Sequence, residues 1–317
     1  MGVNQQTTSK VLMVRPVRFA FNEETAANNA FQQKSESQEA ALSVERQAVG
    51  EFDAFVTLLR QNGVTVEVLQ DTPEPFTPDS IFPNNCFSTH VVEGSDGERQ
   101  RVLVVYPMFA HNRQQERAKL LAQSTTLAEM GSHSQVVDLT HWESEGKCLE
   151  GTGSLVLDRE HRMAFACLSP RTDADVVADW ASRLNYSYFL FHSEDENGTP
   201  VYHTNVVMHV GTRFAVVCLD SVPDAGERLL LEKHLVACGK EVVPITFEQM
   251  HQFAGNMLEL HNEQGEKLLV MSRTALRSLT PEQLSLLEQD VRIVAPDINA
   301  IETAGGGSAR CMIAELY

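Results

Sequence analysis

The chain is poor in positive charge. Of its 317 residues, 25 are Lys or Arg against 43 Asp or Glu, a formal net charge of −18. So acidic a surface repels phosphate backbones and anionic headgroups. Nucleic acid and membrane surfaces are therefore not expected as partners, and a small-molecule substrate is. No apolar run approaches the roughly 20 residues that a membrane-spanning helix needs. The opening MGVNQQTTSK lacks an apolar core, so no signal peptide is read and a cytoplasmic setting is expected. No CxxC pair occurs among the six cysteines (Cys86, Cys148, Cys167, Cys218, Cys238 and Cys311). Reduced thiols are the expectation, and the Cys/His spacings do not suit a structural zinc site. No Gly-rich phosphate loop follows a strand, so neither metal nor cofactor is expected. Pro- or Ser-rich linkers are absent too, which leaves residues 1–317 as one expected domain.

What is present is a rhythm. Asp79, Glu150, His203, Asn256 and Cys311 follow one another in steps of 71, 53, 53 and 55 residues. Each stands just before a short apolar run that reads as a strand: in TPDSIFPNN (77–85), LEGTGSLVL (149–157), YHTNVVMHVG (202–211), GNMLEL (255–260) and GGGSARCMIAELY (305–317). The strands that close each unit begin near 64, 135, 186, 240 and 291, in the same rhythm. A period of this length marks stacked or radially arranged supersecondary units. Equivalent points of a closed ring converge on its axis, and acid, His and Cys brought together form a catalytic constellation.

The elements recur as strand, strand, helix, strand. VLMVRP (11–16) opens the chain. A polar segment (22–37) leads into a helix from about Gln38 to Gln61, stopped by Gly63, and VTVEVL (64–69) follows. Further helices are expected from about Arg113 to Met130, Asp173 to Leu184 and Asp224 to Cys238, and one beginning TPEQL (280–284). SLVLD, NVVMHVG and CMIAELY are read as strands. EGSDGERQ (93–100) reads as a hairpin loop and SEDENGTP (193–200) as a surface loop. The unpaired first and last strands would join and remove two edges. The expected fold is therefore α/β, five ββαβ units around a pseudo-fivefold axis.

At these residues the chain resembles the guanidino-group-modifying enzymes: arginine deiminases, dimethylarginine dimethylaminohydrolases and amidinotransferases, a resemblance that implies a five-bladed α/β propeller (pentein). The resemblance runs from VLMVRP to Cys311 and rests on PD at 78–79, LEG at 149–151, the His203 motif, LSPRTD (168–173) and the Gly-rich turn before Cys311. Within that superfamily the chain looks most like the bacterial citrulline-utilisation hydrolases. The resemblance implies Cys311 as nucleophile and His203 as the group that protonates the leaving amine and then deprotonates water. Glu150 would orient His203 or hold a substrate N–H. Asp79 would accept from the substrate's planar end, and Arg171 would grip its α-carboxylate. Arg113 is a second candidate for a carboxylate. The resemblance also allows a homo-oligomer.

The departures from the family pattern carry most about substrate. Asn84-Asn85 stands where the dimethylarginine hydrolases have Glu-Asp, Asn205 where arginine deiminases have an Asp, and Ser154 where relatives have a second acid. Acids become neutral at three places. A guanidinium is cationic and rewards carboxylates; a ureido group is neutral and wants a donor for its oxygen, which an Asn amide supplies. The sequence therefore favours L-citrulline, split to ornithine, carbon dioxide and ammonia through an S-carbamoyl enzyme. An arginine deiminase, arginine dihydrolase or dimethylarginine hydrolase would use the same residues. A non-catalytic propeller binding protein is the alternative of another class, and it would not need Cys, His and acid together.

Overall fold

The structure is a computed structural model that describes residues 5–93, 99–123 and 135–317. Its described strands form five sheets of three. The strands are β1 (Lys10–Arg15), β2 (Thr65–Gln70), β3 (Phe87–Glu93), β4 (Arg99–Val105), β5 (Gln135–Asp138), β6 (Val156–Asp158), β7 (Met163–Cys167), β8 (Ser187–Phe191), β9 (Met208–Val210), β10 (Phe214–Val217), β11 (Glu241–Pro244), β12 (Leu258–His261), β13 (Lys267–Val270), β14 (Arg292–Val294) and β15 (Ala314–Glu315).

Every sheet is built the same way. A leading strand pairs antiparallel with a central one, which pairs parallel with a third: β3-β4-β5, β6-β7-β8, β9-β10-β11 and β12-β13-β14. Parallel neighbours need a crossover, and a helix supplies it. In the remaining sheet the leading strand comes from the far end of the chain: β15 pairs antiparallel with β1, Val11 opposite Glu315 and Leu12 opposite Ala314. The expected pairing of the two terminal strands is thus present.

The crossover helices explain themselves locally. Helix Ala174–Leu184 starts at Asp173, whose side chain accepts from the Asp175 N–H, and buries Val176, Val177, Trp180, Ala181 and Leu184. That spacing is one helical face, and each large side chain so buried stabilises by about 1.5–3 kcal/mol. Trp180 keeps its polar edge satisfied by donating to the Tyr106 hydroxyl at 2.9 Å. Helix Pro281–Leu287 begins, as its sequence announces, with a capping box between Thr280 and Gln283.

Several readings from sequence need correcting. Ser154 is not in a strand: Gly151–Ser154 is a helical turn, and so is Thr204–Val207, which takes up the first three residues of NVVMHVG. A 3₁₀ turn, Pro83–Asn85, precedes β3 in the same way. A helix over Asn299–Gly305 leads into the Gly-rich segment, and β15 is only two residues long. Short apolar runs fit a buried helical turn as well as a strand, and periodicity cannot separate them. The helix starting near Arg113 is seen as His111–Ala122. Its expected continuation to Met130 lies outside the described residues, as does the centre of the 93–100 loop.

Candidate active site

The interposed turns put the site together. Glu150 and His203 each occupy the residue just before their helical turn, while Asn256 and Cys311 lie in turns ahead of β12 and β15. Each turn is tied to its neighbour. The Thr152 hydroxyl donates to the Asn84 carbonyl (3.2 Å), Thr204 to the Ser154 carbonyl (2.5 Å), and the Asn256 amide to the Asn205 carbonyl (2.9 Å). The Arg310 N–H in turn donates to Asn256 Oδ1 (3.0 Å). The glycines of LEGTG are what this packing requires. A Cβ on Gly151 would lie 2.3 Å from the Asn84 carbonyl oxygen, and one on Gly153 would lie 2.3 Å from Asn85 Nδ2 and 2.8 Å from His203 Nδ1.

A small cavity opens among Asp79, Asn85, Arg113, Arg171, His203 and Cys311. Asn29, Phe82, Tyr202 and the Gly305–Gly307 backbone complete its wall. His203 Nε2 meets Glu150 Oε2 at 2.8 Å, and both side chains are buried. The Asn205 and Asn256 amides donate to Cys311 Sγ at 3.5 and 3.4 Å. Arg113 donates to Asn85 Oδ1 at 2.8 Å, lies 3.4 Å from Glu150 Oε2 and 3.8 Å from Asp79 Oδ2, and bonds Glu116. Arg171 Nη1 lies 3.5 Å from Glu150 Oε2, and its guanidinium stacks on the Tyr202 ring at 4.7 Å.

The buried charges set the protonation states. Burial alone would raise the Glu150 carboxyl. Arg171, the His203 hydrogen bond and Arg113 together hold it well below the usual carboxylate range. Burial pushes the His203 imidazole down to about 4, against the Glu150 bond, so His203 is neutral near pH 7. Three buried carboxyls share the two guanidinium groups. Although Arg113 Nε bonds Glu116 at 3.1 Å, burial pushes the Glu116 carboxyl up to about 8. Burial also raises Asp79, opposed by Arg113, the Asn22 amide and Arg171.

The two asparagines expected to act as a pair are separated. Asn85 lines the cavity, whereas Asn84 is buried beside it with neither side-chain polar atom partnered among the described residues. Arg113 lines the cavity too, its guanidinium engaged by Glu116, Asn85 and the Phe82 carbonyl. Other contributors went unread. Asn22 donates to Asp79 Oδ2 at 2.7 Å, and Asn28 Oδ1 accepts from both Nε and Nη2 of Arg171. Asn29 donates to the Gly305 carbonyl at 3.2 Å. All three come from the polar segment 22–37, and its cluster of asparagines was the only sign. The six cysteines are unpaired, and all but Cys238 are buried. No described helix is long and apolar enough to cross a membrane.

The family model of N,N dimethylarginine dimethylhydrolase, eukaryotic, matches residues 15–317. No curated protein matches by sequence. Among solved structures, the N-terminal domain of ArgZ bound to substrate, an arginine dihydrolase from the ornithine-ammonia cycle in cyanobacteria, superposes with a TM-score of 0.72 at 16% identity, covering 97% of each chain. AgrE in binary complex with L-arginine gives 0.73 at 17% identity, over 97% of this chain but 40% of its own. A dimethylarginine dimethylaminohydrolase adduct with S-methyl-L-thiocitrulline gives 0.62 at 13% identity, over 98% and 99%. At such identities the structures speak for the fold.

Proposed function

Because the chain belongs to the N,N dimethylarginine dimethylhydrolase family, hydrolases of C–N bonds in guanidino groups, we propose that it is a cysteine hydrolase of a ureido amino acid, L-citrulline. One observation carries the substrate. The buried acids nearest the cavity already face two guanidinium groups, Arg113 and Arg171. A substrate guanidinium would be a third cation beside them. A neutral ureido group adds no charge there, and the Asn85 amide in the wall can both donate and accept. At the other end of the substrate, the outer edge of Arg171 is held by a neutral amide, Asn28, which an α-carboxylate can replace with a stronger charge-assisted pair.

In the proposed reaction, neutral His203 takes the Cys311 thiol proton as Sγ attacks the ureido carbon. The imidazolium, steadied by Glu150, passes that proton to the departing δ-nitrogen. The C–N bond breaks, ornithine leaves and a carbamoyl group remains on sulfur. Water then attacks the carbamoyl carbon as His203 takes its proton; the C–S bond breaks, Cys311 Sγ recovers that proton from the imidazolium, and the released carbamic acid yields carbon dioxide and ammonia. We further propose that the five sheets are five blades about a pseudo-fivefold axis in one catalytic domain. The turn-to-turn bonds and the β15–β1 pairing support this. The compartment proposed is the cytoplasm.

A second reading, hydrolysis of arginine, has an observation of its own: Asp79 Oδ1 is buried without a partner among the described residues and would accept from a guanidinium N–H. Ornithine and ammonia release on citrulline, arginine, dimethylarginine and agmatine separates the two. The highest kcat/KM on citrulline supports the first reading. Preference for arginine, with two ammonia per ornithine, replaces it with the second. A Cys311 thiol no more reactive than an ordinary one would instead favour a non-catalytic binding protein.

A further inference from the structure

Asp79, Glu150, His203, Asn256 and Cys311 of the candidate active site precede the leading strands of the five sheets. At the opposite ends of those strands lies a larger cavity, of about 330 Å³. Val91 reaches it from the end of β3, Arg159 from just past β6, His261 from the end of β12 and Tyr317 from past β15. Its described lining is basic: Lys10, Arg99, Arg101, Arg159 and Arg162 line it, and no Asp or Glu among the described residues does.

The cations are positioned rather than loose. Arg159 is buried. It donates to the Thr89 carbonyl at 3.3 Å and stacks on the Tyr317 ring at 4.1 Å. Its acidic partner, Glu315 (3.5 Å), is shared with Arg310 (2.7 Å), so one carboxylate answers two guanidinium groups and positive charge is left over. Arg162 sits in the β6–β7 turn with φ 50, a left-handed conformation that Asn or Gly would adopt more cheaply. Its guanidinium makes no ion pair among the described residues. Lys10 has one weak surface partner, Glu67 at 3.4 Å. Hydroxyls of Thr7, Thr8 and Ser9 and the His261 ring add neutral polar groups to the same wall.

We infer that this cavity binds a multiply charged oxyanion, a phosphate-bearing or polycarboxylate metabolite, at the end of the leading strands remote from Cys311. Convergent guanidinium forks match phosphate and carboxylate oxygens, and the volume is at the small-metabolite end of ligand pockets, which begin at about 300 Å³. The inference does not depend on the substrate of the catalytic cavity.

Titration calorimetry and thermal melts with pyrophosphate and with citrate, against NaCl at matched ionic strength, test it. The expected result is saturable one-to-one binding of at least one probe, with a melt raised beyond the NaCl control. Arg162→Glu should weaken that binding at least tenfold, and Arg162→Gln should weaken it less. Both should leave citrulline turnover within about twofold. Tighter binding of pyrophosphate than of citrate identifies a phosphate ligand; the reverse order identifies a polycarboxylate. Stabilisation no greater than in NaCl overturns the inference. So does binding that survives both Arg162 variants, or that disappears in Arg171→Ala, which would place the anion in the catalytic cavity.

Discussion

Glu150 and His203 lie 53 residues apart, and each stands immediately before a one-turn helix leading into the first strand of its own sheet; there they share a 2.8 Å hydrogen bond. That one contact joins the repeat, the local fold and the chemistry. The carboxylate stays ionised because Arg171 and Arg113 face it, and it holds the imidazole that would move protons.

Cys311→Ala should abolish turnover and leave the fold intact. The side chain is small and buried, so its loss costs little packing, whereas loss of a nucleophile costs several orders of magnitude in rate. Steady-state rates beside a thermal melt check this. A variant keeping more than about a tenth of the wild-type rate removes Cys311 from that role.

Gly153→Ala should disable the site without touching a reactive group. The new methyl would press on Asn85 Nδ2 and His203 Nδ1, and a misplacement of about 1 Å costs about a hundredfold in rate. Wild-type kinetics in this variant would show that the Gly153 turn has the freedom to yield.

Asn85→Asp should move the kcat/KM ratio toward arginine by about tenfold, or roughly 1.4 kcal/mol. The new carboxylate would repel a ureido oxygen and attract a guanidinium. Because Asn84 does not line the cavity, Asn84→Asp should leave the ratio nearly unchanged in whatever folded protein it yields.

Arg171→Ala should raise KM for citrulline more than it lowers kcat, since a carboxylate grip remote from the reacting carbon is mostly uniform binding. Agmatine, which has no carboxylate, should be a poor substrate of the wild type and insensitive to the change. Identical treatment of citrulline by variant and wild type would contradict the assignment.

Acid should act on activity and stability together. His203, pushed down to about 4, is neutral in the free enzyme, so the acid limb of kcat/KM should lie well below the ordinary histidine range. His209 is pushed down to about 3 by burial, and His90 is lowered by burial and then Arg159. For each, the unfolded chain binds the proton more readily. Their stabilising contribution is therefore full above the ordinary value of 6.5 and is lost as pH falls toward the folded values. Glu116, pushed up to about 8, and Asp79, also raised by burial, act the other way, binding protons more readily when folded. The histidine share is therefore read by difference: between pH 7 and pH 4 the wild type should lose more stability than a folded His209→Gln variant, and equal losses would contradict neutral burial.

The five-part rhythm was legible because each unit repeats one geometry, and the register of Asp79, Glu150, His203, Asn256 and Cys311 survives any error in the elements between. The helical turns themselves were not legible. Val206 and Val207 look alike in a turn and in a strand, and the backbone bond from the Met208 N–H to the Thr204 carbonyl, which marks the turn, leaves no trace in the pattern. Asn22, Asn28 and Asn29 were missed for another reason. They belong to no periodic element, and they reach the site through a loop that is placed by tertiary contacts. The basic cavity was hidden likewise, its cations lying at 10, 99, 101, 159 and 162 and meeting only when the strand ends do.

The most direct test of the central proposal is peptide mass spectrometry on enzyme acid-quenched during single turnover with L-citrulline. The account predicts a carbamoyl group on the peptide carrying Cys311, lost in Cys311→Ala and formed far more slowly in His203→Ala, which lacks the group that takes the thiol proton and protonates the leaving nitrogen. Unmodified Cys311 with citrulline, alongside an amidino adduct formed from arginine, would contradict it and make the guanidinium the substrate.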